Sequence, residues 1–270
     1  MRAAKPPPHW AILTDVTKCI GCEKCVQACK DKNKTGEDQP WSWQNGIADL
    51  SATRWTTIDR AGDHHYVRRQ CRHCLDPACA SACPVGALRK TPEGPVVYDS
   101  TLCMGCRYCM MACPFKIPRY EWGSPIPRVR KCVLCLERIK SGEAQEPACT
   151  EACPTKATIF GEREELLAEA HRRLAATPDL YVPHVWGETE AGGTSVLTIS
   201  NIDIELPATV SNDPLPGTTK ISMGAVPFVF VGVGVTMGGL RWIIDRRNRL
   251  RQERAAVLAA AASDAKEIKE

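Results

Sequence analysis

The sequence predicts an α+β fold in which two small interleaved modules are followed by a docking arm and one C-terminal membrane-spanning helix. Two observations carry that expectation. All sixteen cysteines of the 270 residues lie between Cys19 and Cys153 and fall into four groups of four. Far beyond them, twenty uncharged residues, ISMGAVPFVFVGVGVTMGGL, run from Ile221 to Leu240 between Lys220 and Arg241.

The first group is Cys19, Cys22, Cys25 and Cys29, a C-x2-C-x2-C-x3-C run, and the third repeats it at Cys103, Cys106, Cys109 and Cys113 before Pro114. Both have the spacing of bacterial ferredoxins. The second group, Cys71, Cys74, Cys79 and Cys83, widens one gap, and the fourth, Cys132, Cys135, Cys149 and Cys153, opens one to thirteen residues; each precedes a proline, Pro84 or Pro154. Three thiolates at two-residue steps converge on one iron-sulfur cube only if the backbone curls around it. The fourth, three residues on, points away and serves a neighbouring cluster. Four thiolates per cube give four 4Fe-4S clusters with no cysteine left over, so the modules are expected to be ferredoxin-like, with two clusters each.

Two other readings of cysteine-rich chains fit less well. Disulfide frameworks belong to secreted chains usually below about 80 residues, without a repeated x2-x2-x3 spacing. Zinc sites pair two C-x2-C knuckles and do not ask for three cysteines at two-residue steps with a fourth beyond. Lys18, Lys24, Arg72, Arg107 and Lys131 stand beside or among the cysteines; they read as solvated side chains first and as charges that favour a reduced cluster second. His73 is expected to be a surface or supporting residue rather than a ligand.

The cysteines end at Cys153, leaving more than a hundred residues for something else. Aromatic residues are only 6% of the chain, which suits modules held together by thiolate-iron bonds more than by a large apolar core. A net charge of +4 is far from the concentrated basic face of a nucleic-acid binder, and no nucleic-acid partner is expected.

From Ile221 to Leu240 the run is about 30 Å long as a helix, the thickness of a bilayer's hydrocarbon core. Pro227 is tolerated in such a span, and Gly234 with Gly238 forms a G-x3-G step that lets another helix approach. Arg241, Arg246, Arg247, Arg249, Arg251 and Arg254 follow it. Positive-inside reasoning puts this end in the cytoplasm and the cluster domain, across a single pass of a bacterial inner membrane, in the periplasm. Trp242 is placed in the interfacial belt. The first ten residues contain no apolar stretch of seven or more and no Arg-Arg pair before a hydrophobic run, so export is expected to depend on a partner that carries the signal.

Spacing alone does not fix which groups share a module. A compact arrangement joins groups two and three in residues 66–118 and groups one and four in residues 10–30 with 119–160, leaving 31–65, with Trp41, Trp43 and Trp55, as an insertion. YVRRQCRHC and PVVYDSTLC read as strands entering ligand loops, and Cys25 to Lys30 and Cys109 to Cys113 as short helical turns ended by prolines. EREELLAEAHRRLAA, from Glu162 to Ala176, has acids first and basic residues last, which suits an amphipathic helix. Residues 161–219 are read as that helix plus a docking arm with one strand at Thr194–Ser200, then 220–244 as the membrane helix and 245–270 as a basic tail.

With the four groups placed, and with the segments CRHCLDPACASACPVGAL, GCRYCMMACPFKIPRY, FGEREELLAEAHRRL and WGETEAGGTSVLTIS, the chain resembles the four-cluster iron-sulfur subunits of membrane-bound bacterial oxidoreductases. The likeness covers most of residues 10 to 250 and is strongest to the hydrogenase-2 type, then to the formate dehydrogenase-N beta type. The resemblance implies a ligand assignment: Cys19, Cys22 and Cys25 with Cys153; Cys29 with Cys132, Cys135 and Cys149; Cys71, Cys74 and Cys79 with Cys113; Cys83 with Cys103, Cys106 and Cys109. It also implies two partners, a catalytic subunit of nickel-iron hydrogenase or molybdopterin (formate dehydrogenase) type and an integral membrane quinone or cytochrome b-type subunit. The expected role is electron transfer between them, with no catalytic centre in this chain. The alternative is a membrane-anchored iron-sulfur sensor, for which an incomplete ligand set and an output domain are expected, and neither is visible.

Overall fold

The computed structural model describes residues 7–37, 49–62, 64–214 and 216–267, with side chains omitted at 218–220 and beyond 256; Trp41 and Trp43 lie outside the described residues. Two units divide the chain, residues 1–220 and 221–270.

The first unit starts with β1 (Trp10–Asp15), followed by α1 (Lys24–Asn33). Next come the hairpin β2 (Thr56–Ala61) and β3 (His65–Gln70), then α2 (Ala78–Ser81), β4 (Leu88–Lys90) and β5 (Val96–Tyr98). After α3 (Tyr108–Ala112) a short ladder joins β6 (Arg119–Tyr120) to β7 (Val129–Arg130). The sequence then forms α4 (Leu136–Lys140), α5 (Ala148–Glu151), β8 (Thr158–Glu162), α6 (Arg163–Ala176) and β9 (Val196–Ile199). The segments expected to enter ligand loops as strands are β3 and β5. The expected turn at Cys25 is a full ten-residue helix, α1.

One three-stranded sheet, in the order β8-β1-β9, organises this unit. β1 is antiparallel to β8, Ile12 opposite Phe160, and parallel to β9, Ile12 opposite Val196. Ala11 to Asp15 are all buried, as a central strand covered on both faces requires. The two faces are divided by the alternation of the strand. Ala11 and Leu13 pack with Leu166, Ala170, Tyr181, Val185, Leu197 and Ile199 beneath α6, while Ile12 and Val196 on the other face meet Leu134 and Cys149. The sheet therefore presents an apolar back to a helix and a front to the cysteines.

α6 starts one residue after the expected Glu162, which is its N-cap, and carries Glu164 and Glu165 in its first turn and Arg173 in its last, the charge order that complements the helix dipole. Arg173 reaches the fully buried Asp15 carboxylate at 3.1 Å, which also accepts from the Tyr181 hydroxyl at 3.0 Å and the Thr17 hydroxyl at 2.6 Å. The segment read as a docking arm does more than link: β9 completes the sheet. Around it, Leu75 N–H donates to Gly193 at 2.9 Å and Ser195 N–H to Arg72 at 3.1 Å, and Leu206 and Val210 pack beside Cys71, Phe115 and Ile117.

The second unit belongs to α7 (Pro216–Glu267), which has Pro227 in its interior. Its 52 residues make a helix of about 78 Å. Ile221–Ala256 is long and apolar enough to cross a membrane, and none of its apolar window is buried by the protein. Phe228, Val229, Phe230, Val231 and Val235 are exposed, which in water is unfavourable and in lipid is not. The helix continues past the expected 220–244 through the arginines, where Arg246 stacks on Trp242 at 5.5 Å.

Candidate metal-sulfur centres

The thiols gather by fours. Cys19, Cys22, Cys25 and Cys153 line one cavity, Cys29, Cys132, Cys135 and Cys149 a second, and Cys83, Cys103, Cys106 and Cys109 another. Cys71, Cys74, Cys79 and Cys113 form the remaining set, in which the Cys74 and Cys79 thiols are each pushed up by burial and then by Cys71 and Cys113. In chain-path order these are sites one, two, four and three.

Local backbone conformation explains the convergence. The residue before the second cysteine of every group is left-handed: Gly21 (φ 70°), His73 (φ 50°), Gly105 (φ 77°) and Leu134 (φ 56°). Such a residue turns the chain so that the next side chain faces back towards the previous one. After Cys83, Cys113 and Cys153 comes Pro-x and a third left-handed residue, Gly86, Lys116 or Lys156, whose N–H donates to the cysteine carbonyl at 3.1–3.3 Å. These turns are the physical content of the repeated cysteine-proline signature.

Four short helices tie the sets together. In each, two cysteines four residues apart belong to different quartets: Cys25 and Cys29 on α1, Cys79 and Cys83 at α2, Cys109 and Cys113 at α3, Cys149 and Cys153 at α5. Thus α1 and α5 join sites one and two, and α2 and α3 join sites three and four. Between the pairs, burial and then the charges of Cys29 and Cys71 push the Cys132 thiol well above its ordinary value, which places site two beside site three.

Burial and mutual repulsion drive Cys29, Cys74 and Cys109 up to about 12 and Cys113 up to about 11. Thiols so placed ionise only when a cationic group shares the cavity, because ligation requires the thiolate and a metal supplies the missing positive charge. Donors to sulfur stand ready: Leu134 N–H to Cys132 Sγ at 3.4 Å, Ile117 N–H to Cys113 Sγ at 3.5 Å and Asn33 Nδ2 to Cys29 Sγ at 3.5 Å. At Cys103 burial is outweighed by hydrogen bonds from Tyr98 and the Gly105 and Val129 amides, so its thiol lies below its ordinary value. Among the described residues, no three His, Cys, Asp or Glu side chains close to the spacing that would hold a single metal ion.

Of the cations beside the cysteines, Arg72 and Lys131 are buried while Lys24 and Arg107 are exposed. Lys131 Nζ donates to Cys132 O at 2.9 Å and Val96 O at 2.5 Å; Arg72 donates to Thr198 Oγ1 at 2.9 Å; Lys18 lies 3.9 Å from Asp15. Arg107 stacks on Tyr120 and Trp122. His73 is fully buried, and its Nδ1 accepts the Val96 N–H at 2.9 Å; burial, with Lys131 and Lys90 nearby, holds it well below its ordinary value and neutral. Three residues escaped the sequence reading: Lys90, whose Nζ donates to Cys74 O at 2.8 Å, and Arg68 and Gln70, which line site two. All three sit on strands next to ligand loops, and only the strand register reveals that they face the cysteines.

Thiol quartets, each wholly or partly buried and met by sulfur-directed donors, define an iron-sulfur electron carrier. The family model of the 4Fe-4S dicluster domain matches residues 63–163. The sequence is 38% identical to the hydrogenase-2 operon protein HybA of Escherichia coli, over 81% of this chain and 76% of the relative. It is also 38% identical to the nitrate-inducible formate dehydrogenase iron-sulfur subunit of Escherichia coli, over 70% and 67%, and 33% identical to the formate dehydrogenase iron-sulfur subunit of Haemophilus influenzae, over 84% and 80%. The protein belongs to the family of 4Fe-4S iron-sulfur subunits of bacterial oxidoreductases. It is an electron-transfer subunit of an oxidoreductase complex and not the catalytic one.

Proposed function

We propose that this chain is a wire of four 4Fe-4S clusters between a catalytic subunit, of nickel-iron hydrogenase or molybdopterin type, and an integral membrane subunit that handles quinone or haem. The observation that carries the reading is the set of four helices whose cysteine pairs each reach two thiol quartets. A bound 4Fe-4S cluster accepts and passes on one electron at a time. Cys19, Cys22, Cys25 and Cys153 hold the first; Cys29, Cys132, Cys135 and Cys149 the second; Cys71, Cys74, Cys79 and Cys113 the third; Cys83, Cys103, Cys106 and Cys109 the fourth. The protein's own contribution is to keep neighbouring sites one helical turn apart, to exclude water with the β1 sheet and the 191–210 segment, and to direct N–H groups at the sulfurs.

The shared helices support two modules, residues 10–30 with 119–160 and residues 66–118, with 31–65 inserted between them and 161–219 packed alongside as helix and docking arm. The exposed apolar side chains of α7 support a single span in the inner membrane. Arg246, Arg247, Arg249 and Arg251 beyond the run support, by the positive-inside rule, a cytoplasmic 245–270 tail with the clusters in the periplasm. The test is a mild-detergent pull-down through a C-terminal tag, with mass spectrometry and metal analysis. A nickel- or molybdenum-containing subunit together with a multi-span membrane protein is the expected result; an iron-rich chain recovered alone from native membranes contradicts the wire.

A further inference from the structure

β3 ends one residue before Cys71, and its alternation puts Arg68 and Gln70, two residues apart, on one face of the strand. Both are buried, Arg68 5% and Gln70 2% exposed. Both line the cavity of Cys29, Cys132, Cys135 and Cys149, and Arg68 also lines that of Cys19, Cys22, Cys25 and Cys153. Thr56 Oγ1 accepts from Arg68 Nε at 3.1 Å and fixes the guanidinium between the two cavities. The thiols of Cys149 and Cys25 are the principal groups whose charge meets it.

Neither side chain is fully satisfied. Arg68 Nη1 and both amide atoms of Gln70 have no hydrogen-bond partner among the described residues. Leaving a buried donor unmade is costly, and the Arg68 Nη1 and Gln70 Nε2 donors facing one cavity are the ones that a sulfur-rich group in that cavity accepts from; Gln70 Oε1, itself an acceptor, is not served by it. Polar side chains that only filled space here would find partners in the surrounding backbone.

Resting on the four-cluster reading, we propose that Arg68 and Gln70 are the N–H donors that set the reduction potential of the second site, and that Arg68 acts on the first site as well. Reduction adds one electron to a site and makes or breaks no bond, so the added negative charge is what the residues answer. A fixed guanidinium and an amide N–H stabilise that charge in a low-dielectric surrounding and raise the potential. Gln70 reaches one site and Arg68 two, which makes the two contributions separable.

The experiment is a potentiometric titration of the detergent-solubilised complex followed by electron paramagnetic resonance, with iron content measured on each sample. In Gln70→Leu the second site alone becomes harder to reduce. In Arg68→Gln the first and second sites both do, the reduced-to-oxidised ratio at a fixed potential falling about tenfold, or about 59 mV for a one-electron couple. Arg68→Lys, which keeps the charge, lies between. Unchanged midpoints in Gln70→Leu and Arg68→Gln at full iron content overturn the proposal, as do shifts confined to the site of Cys83 and Cys103. Should Arg68→Gln lose its clusters, Gln70→Leu and pulsed resonance of the wild-type complex carrying nitrogen-15 arginine decide: a guanidinium coupling to a reduced site supports the assignment, and its absence refutes it. Low iron in the wild type would instead count against the cluster reading itself.

Discussion

Cys25 and Cys29 lie one turn apart on α1, yet Cys25 lines a cavity with Cys19, Cys22 and Cys153 while Cys29 lines another with Cys132, Cys135 and Cys149. One rigid helical turn thus fixes the separation of two thiol-lined cavities. α5 does the same from the other side with Cys149 and Cys153. Positions held by secondary structure vary less than positions held by loops, and electron transfer between sites depends on that constancy of distance.

The crossing of cysteines between sites gives the first prediction. Cys153→Ser removes a ligand from the site of Cys19, Cys22 and Cys25 and leaves that of its sequence neighbour Cys149 intact. Cys29→Ser does the reverse, sparing Cys25. Resonance spectra of the two variants show the loss of different signals; loss of the same signal in both contradicts the arrangement.

Gly21 and Gly36 separate backbone strain from steric exclusion. Both have a left-handed backbone, φ 70° and 76°, so alanine costs each about 1–2 kcal/mol. A Cβ at Gly21 would also lie 2.5 Å from the Tyr66 ring, whereas at Gly36 nothing is within 4 Å. Gly21→Ala therefore lowers iron content and Gly36→Ala does not, as iron analysis of the purified variants reports.

Asp15 anchors the sheet to α6 through Arg173, 158 residues away. Asp15→Ala leaves the Arg173 guanidinium and the Tyr181 and Thr17 hydroxyls without their shared acceptor. The expected loss is about 3 kcal/mol, seen as a lower thermal midpoint. Arg172→Ala, on the exposed side of the same helix, removes only a surface pair with Glu169 and costs less than about 1 kcal/mol.

Truncation after Lys220 removes all of α7 beyond its first five residues, the apolar run included, but none of the cysteines. Expressed without partner subunits, the truncated chain is expected in the soluble fraction and the full chain in the membrane fraction. Fractionation followed by immunoblotting checks this, and a full chain that is soluble without detergent contradicts the span.

The four cysteine groups were legible in the spacing because ligand-loop geometry is local: a left-handed residue and a proline turn are encoded within a few positions of each thiol, whereas the pairing of Cys153 with Cys19, Cys22 and Cys25 came from the family resemblance and not from spacing. α6 was equally legible, its acids and bases standing at opposite ends, and the apolar run of α7 is visible without any structure. The placement of β9 was not, because its parallel pairing with β1 joins Val196 to Ile12 across more than 180 residues, and the Gly- and Pro-rich composition around it reads as linker. Arg68 and Gln70 were missed for a related reason. In YVRRQCRHC the arginines look alike; only register with β2, Ile58 opposite Arg68, turns Arg68 inward and leaves Arg69 outside with Asp49 and Asp59.

The measurement that bears most directly on the central claim is iron and acid-labile sulfide per chain, with zinc, on the anaerobically purified complex. After subtraction of the partners' own metal, four cubes require about sixteen iron and about sixteen sulfide per copy of this chain and no zinc. About eight or twelve iron, or zinc in place of iron, contradicts the four-cluster wire.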